Sequence, residues 1–127
     1  KIAGNSRAKA SAESIYYAVQ GDSNRLSMHP TEESQQAIWQ VIAAIPESRV
    51  ATYGQIAAMA GQAGKSRWVG RLLSQLPRET RLPWHRVVNS SGRITNPNFD
   101  LQQARLIAEG IEPRGGRVLL KDHQWRP

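Results

Sequence analysis
The chain has 127 residues, with 17 Lys and Arg against 10 Asp and Glu, and no cysteine. That length suits one small domain with a modest core, and no apolar run approaches the roughly 20 residues needed to cross a bilayer, so no membrane partner is expected. Without cysteine there is no disulfide and no thiolate nucleophile, and three scattered histidines have no zinc spacing, so neither a metal nor another cofactor is expected.

The charge is localised. Arg49 to Arg93 holds eight basic residues against Glu79 alone, which is the whole net excess of +7, and the rest of the chain is balanced. Charge concentrated in this way favours a polyanionic partner over a uniformly solvated basic surface.

Residues 1–30 are rich in Ala, Ser, Gly and Asn around a short apolar patch, IYYAV, and read as a flexible N-terminal segment. The chain begins at Lys1 without a methionine, so this segment reads either as natural or as non-native, with Met28 as a conceivable natural start. From Thr31 the pattern turns helical. Thr31 is a candidate cap, Glu32 and Glu33 suit the positive end, and Ile38, Val41, Ile42 and Ile45 recur at helical spacing until Pro46. Trp39 near that apolar face reads as core.

The stretch RVATYGQIAAMAGQAGKSRWVGRLLSQLP predicts a short helix over 53–60, a break at GQAG, and a second helix over 66–76 ended by Pro77. Two short helices across a Gly-containing turn suggest a helix-turn-helix. Val69, Leu72, Leu73 and Leu76 make one buried stripe of the second helix, while Arg67 and Arg71 share another face. Leucines inward and arginines outward is what an element lying against DNA requires, because phosphates and base edges both call for long cationic donors. Gly70, in mid-helix at a cost of about 1 kcal/mol relative to Ala, suggests close approach by another backbone, DNA or protein.

After a loop, Pro83-Trp84-His85-Arg86-Val87-Val88 leads into a short strand and a turn at Ser90-Ser91-Gly92. Taken alone, Trp84 reads equally as a core residue, and His85 as a structural histidine. Leu101, Ala104 and Ala108 mark a further helix that Gly110 stops, with Glu109 unfavourably placed at its negative end and in want of a compensating contact, for which His85 is a candidate. RGGRVLLKDHQWRP then reads as a turn, a short apolar strand and a polar tail, with Arg114, Arg117 and Lys121 read as solvated surface ahead of added phosphate contacts.

These residues resemble the DNA-binding domain of the O6-alkylguanine-DNA alkyltransferases, whose signature is Pro-Cys-His-Arg followed by two aliphatic residues. The likeness runs from about Ser34 to Ile111 and takes in Tyr53 of VATYGQIA, Arg67 of KSRWVG and Glu109 of IAEG. It is closest to the alkyltransferase-like proteins, in which tryptophan commonly replaces the cysteine. The family's enzymes move an alkyl group from guanine O6 to the cysteine sulfur with help from His and Glu. Trp84 has no available lone pair on its indole nitrogen, so no enzymatic activity is expected. His85 and Glu109 then serve as pocket support.

The resemblance implies a mainly α, winged-helix-like helix-turn-helix domain over 31–127 with a minor β element, acting on the minor groove. It implies that Tyr53, Trp84, Val87 and Asn98 form a lesion pocket, with the backbone carbonyls of Trp84 and Val87 accepting from the guanine amino group. The surface carrying Tyr53, Lys65, Ser66, Arg67, Trp68, Gly70 and Arg71 is implied to bind DNA, with Arg67 filling the space left by a flipped nucleotide. The expected partner is duplex DNA containing O6-alkylguanine, and the family implies hand-over to nucleotide-excision repair proteins. A monomer is expected, in the cytoplasm with the nucleoid, or in the nucleus of a eukaryote. Two departures stand out: Leu76 replaces the Asn usual before Pro77, and Asn96-Pro97-Asn98 replaces the loop that often carries Tyr-Ser. The Asn98 backbone N–H remains a candidate donor to guanine O6. Two alternatives are a sequence-specific regulator using the same helices in the major groove and, ranked last, a hydrolase in which His85 and Glu109 activate water.

Overall fold
The computed structural model describes residues 30–77 and 79–127. The expectations for residues 1–29, including Met28 as a start, lie outside the described residues. In chain order the elements are α1 (Pro30–Ala43), β1 (Ala51–Thr52), α2 (Tyr53–Met59), α3 (Ser66–Ser74), a 3-10 turn (Trp84–Arg86), β2 (Val87–Val88), α4 (Phe99–Ala108) and α5 (Leu120–His123). The domain is mainly helical with one small sheet.

α1 starts at Pro30, one residue ahead of the expected Thr31. Proline suits that position, because its missing N–H has no helical partner there. Ile38, Trp39, Ile42 and Ile45 are buried as the periodicity predicts. α2 begins with a capping box: Thr52 Oγ1 accepts from the Gln55 N–H at 3.0 Å, and the Gln55 side chain accepts from the Thr52 N–H at 3.4 Å. Gln55 Nε2 also donates to the Trp125 carbonyl at 2.8 Å, tying the C-terminus to this cap. α2 and α3 pack on each other, and Val69, Leu72 and Leu73 of α3 face inward.

β1 and β2 pair in parallel, Ala51 with Val87 and Thr52 with Val88. Successive side chains of a strand point to opposite faces, and the two cores follow from this. Ala51 and Val87 join the first core, with α1, α2, α3, Leu82 and Trp84. Val50 and Val88 join the second, with Ile94, Leu106, Ile111 and Val118. The sheet is the wall between them.

In the C-terminal part the helix marked by Leu101, Ala104 and Ala108 forms as α4, and one expectation fails. Leu101, Ala104 and Ala108 face outward, Leu101 at 46% exposure, and the buried face of α4 carries Gln102 and Leu106. The apolar stretch after Arg117 is no strand: isolated bridges at Arg117 and Gln124 flank the one-turn α5. The stop at Gly110 holds. Its φ of 88° lets its N–H reach the Ile107 carbonyl and the Ile111 N–H reach the Leu106 carbonyl, both at 2.9 Å, so Ile111 closes over Leu106 in the second core.

Candidate nucleic-acid interface and pocket
The 3-10 turn that carries Trp84 and His85 is held from three sides. Gln102, fully buried on α4, donates its Nε2 to the carbonyls of His85 at 3.1 Å and Val87 at 2.9 Å. His85 Nε2 lies 2.7 Å from Glu109 Oε2. Arg86 grips the same carboxylate with Nε at 3.1 Å and Nη2 at 2.7 Å, and its Nη1 donates to the Ile45 carbonyl at 2.8 Å. Ser48, at φ 70°, completes the cluster by donating its N–H to Glu109 Oε1 at 3.0 Å and its hydroxyl to the Glu109 carbonyl at 2.8 Å. Those two bonds hold a left-handed backbone that serine otherwise avoids.

Glu109 is therefore the hub of the cluster. Burial alone raises its pKa, but the hydrogen bonds from Arg86, His85 and the Ser48 N–H outweigh burial and bring it to about 2. Burial is also the largest influence on His85; it outweighs the attraction of Glu109, lowers the pKa below 6.5 and favours the neutral ring. With Nε2–H donated to Glu109, Nδ1 is a buried atom without a partner among the described residues.

Trp84 is 7% exposed and lines a cavity of about 530 Å³. Leu73 of α3 and Leu76 just after it form one side, and the segment from Asn96 through Phe99 to Leu101 forms the other. His85 meets the Trp84 ring edge-on, with centroids 6.3 Å apart. The Arg105 guanidinium sits 5.5 Å from the ring centre. A ring clamped in this way is a fixed apolar surface with no nucleophilic atom.

Of the four residues expected in the pocket, Trp84 and Asn98 line the cavity, while Tyr53 and Val87 do not. Val87 is 1% exposed in the first core, and its carbonyl already accepts from Gln102. The Trp84 carbonyl accepts from the Val87 N–H within the turn. The Asn98 N–H, the candidate donor to guanine O6, is donated to Asn96 Oδ1 at 2.8 Å. Tyr53 lies with its ring over Gly70, 3.7 Å from where a Cβ would stand, and its hydroxyl is 3.2 Å from Thr95 Oγ1. Within the chain, Gly70 thus faces the Tyr53 ring at ordinary van der Waals distance.

On α3 and at its start, Lys65, Ser66, Arg67 and Arg71 are exposed. Trp68 differs from that group: it is half-buried and packs against the first core. Ser48, Arg86, Gln102 and Arg105 went unassigned in the sequence. For three of them a signal exists, since Gln102, Arg105 and Glu109 recur at helical spacing and Arg86 stands within the signature.

The fold and this cluster define a DNA-binding domain of the alkylguanine methyltransferase class. The family model described as 6-O-methylguanine DNA methyltransferase, DNA binding domain, matches residues 33–111. The chain is 43% identical over 101 residues to the DNA base-flipping protein of Escherichia coli, covering 77% of this chain and 78% of that one. It is 32% identical over 105 residues to alkyltransferase-like protein 1 of Schizosaccharomyces pombe, covering 76% of this chain and 97% of that one. The crystal structure of the S. pombe protein in complex with damaged DNA containing O6-carboxymethylguanine superposes with a TM-score of 0.67 at 32% identity, over 79% of this chain and 100% of that one. The Mycobacterium tuberculosis O6-methylguanine methyltransferase superposes less extensively, with a TM-score of 0.54 over 59% of this chain and 47% of that one. The chain belongs to the alkyltransferase-like branch of the 6-O-methylguanine DNA methyltransferase family.

Proposed function
We propose that this protein is a non-enzymatic sensor of O6-alkylguanine in duplex DNA. It turns the damaged nucleotide out of the stack, holds it beside Trp84 without transferring the alkyl group, and marks the site for nucleotide-excision repair. The observation that carries this reading is Trp84. It stands at the signature's acceptor position, it is buried beside a cavity of about 530 Å³, and the chain has no cysteine to act in its place. His85 and Glu109 form their pair at 2.7 Å with nothing to activate, so they hold the turn in shape.

In this reading Arg67 enters the duplex where the nucleotide leaves, and Lys65 and Arg71 contact phosphates. Tyr53, braced by Gly70 and Thr95, crowds the backbone beside the flipped nucleotide. Asn98 donates to the lesion only by exchanging its bond to Asn96, which makes the 96–98 segment the part that adapts. With about four phosphate contacts, log K falls against log salt with a slope of about −3.6.

The deciding experiment compares binding to a labelled duplex containing one O6-methylguanine with the same duplex containing guanine, at fixed salt, and recovers the DNA afterwards. Tighter binding with the methyl group intact is expected. Methyl loss, or equal affinity for both duplexes, overturns the proposal.

A further inference from the structure
Arg114 and Arg117 close a two-residue hairpin by exchanging both backbone hydrogen bonds, at 2.9 and 3.1 Å. The central residues, Gly115 and Gly116, have φ of 59° and 76°, as the tight mirror-image turn of such a hairpin requires. On its other side Arg117 bridges to Arg93, flanked by the Ile94 N–H to the Gly116 carbonyl at 2.9 Å and the Val118 N–H to the Gly92 carbonyl at 2.8 Å. Arg93 and Arg117 are thus a non-hydrogen-bonded antiparallel pair, the closer kind, with Cα atoms about 4.5 Å apart.

Residues directly opposite in an antiparallel ladder present their side chains on one face. Arg93, Arg117 and Arg114 therefore form a row of three exposed cations. No Asp or Glu among the described residues makes an ion pair with any of them. Like charges directly opposite are destabilising, so the row works against the fold that contains it. A local conflict of this kind marks a surface that functions with a partner of opposite charge.

The position of the row indicates which partner. Gly116 abuts the ring of Phe99, which lines the cavity, at 3.4 Å from the place of a Cβ. A continuous line of contacts runs from Gly70 of α3 through Tyr53 to Thr95, and through neighbouring Ile94 to Gly116. The cavity lies between Leu73 and Leu76 on one side and residues 96–101 on the other, and the turn meets that second side through Phe99.

We propose that Arg93, Arg114 and Arg117 are a second phosphate-binding surface, which holds the duplex backbone on the side of the pocket away from α3. The proposal rests on the DNA-binding reading above but not on lesion recognition. Phosphates carry no sequence or damage information, so the row contributes equally to damaged and undamaged DNA and adds to the salt dependence.

The test is the double variant Arg114→Gln/Arg117→Gln, titrated with both duplexes over a range of salt. A slope of log K against log salt shallower by about 1.8 than that of the parent is expected, with the same loss on both duplexes. The melting temperature is expected to hold or rise, because two repelling charges are gone. A control, Lys9→Gln/Arg126→Gln, changes net charge equally outside both the turn and the 49–93 basic stretch and is expected to leave the slope nearly unchanged. An unaltered slope in the turn variant, or an equal change in the control, overturns the second surface. Equal parental affinity for the two duplexes instead overturns lesion sensing, and the slope comparison still decides the row.

Discussion

The guanidinium of Arg105 lies 5.5 Å from the centre of the Trp84 ring, so a cation on α4 holds the aromatic wall of the cavity in place. Such a contact between a buried ring and a half-buried guanidinium contributes about 1 kcal/mol. Arg105→Ala is expected to lower unfolding free energy by about that amount in urea titration. It also removes one of the two cations that press the His85 pKa down, so the His85 ring protons should titrate at higher pH in the variant's NMR spectra. An unmoved His85 titration would refute this electrostatic link.

Trp84→Ala is expected to weaken binding of bulky O6-alkyl lesions more than of O6-methylguanine, because a larger substituent loses more apolar contact when the ring is removed. Competition binding with lesions of increasing size measures it, once circular dichroism shows the fold intact. An equal loss for every lesion would mean that Trp84 supports the fold and takes no part in selecting the substituent.

Arg67→Ala should reduce the preference for damaged over undamaged duplex, since in the proposed mechanism only flipping places this side chain inside the helix. Lys65→Ala should weaken both duplexes alike, as loss of a phosphate contact does. The two variants are compared by fluorescence anisotropy at one salt concentration. If Arg67→Ala also leaves the ratio of affinities unchanged, Arg67 only contacts phosphate.

Gln102→Leu leaves the carbonyls of His85 and Val87 without their side-chain donor in a fully buried site. A destabilisation of about 2 kcal/mol is expected from chemical denaturation. Lesion affinity should fall with it, because the turn that carries Trp84 loses one of its ties to α4. An unchanged denaturation midpoint would show that these bonds hold nothing in place.

Acid should unfold the protein in two stages. His85 and Glu109 both have folded pKa values below their ordinary ones of 6.5 and 4.5, so the unfolded chain takes up protons first as pH falls. Stability is full above about pH 6.5, declines below it through His85, and declines again between about 4.5 and about 2 through Glu109. Melting temperature followed against pH should show the upper decline in the parent and lose it in His85→Gln. A parent curve that is flat from about pH 7 to about pH 5 would contradict the role given to His85.

The helices that pack through aliphatic stripes were legible in the sequence, as Ile38 and Ile42 of α1 and Val69, Leu72 and Leu73 of α3 demonstrate. α4 was legible as a helix, but not its inward face, because Gln102, Arg105 and Glu109 are occupied with the turn below and the apolar repeat points to solvent. Periodicity of apolar residues cannot register a buried polar face. The three apolar residues Val118, Leu119 and Leu120 are too few to separate strand from helix. Within the cluster, Trp84, His85 and Glu109 were legible through the order of motifs in a family. Ser48 was not, because it meets Glu109 across 61 residues with no local pattern to announce it.

The sheet that divides the two cores is only two residues long in each strand, and it makes the chain intolerant of changes in length at that point. Inserting or deleting one residue between Trp84 and Val88 would turn β2 over, sending Val87 toward the second core and Val88 toward the first. Both interiors would lose their complement in the same event, and the turn beneath the cavity would be rotated with them. The spacing within the Pro83-to-Val88 signature is shared by two cores and a pocket, so none of the three can change it alone.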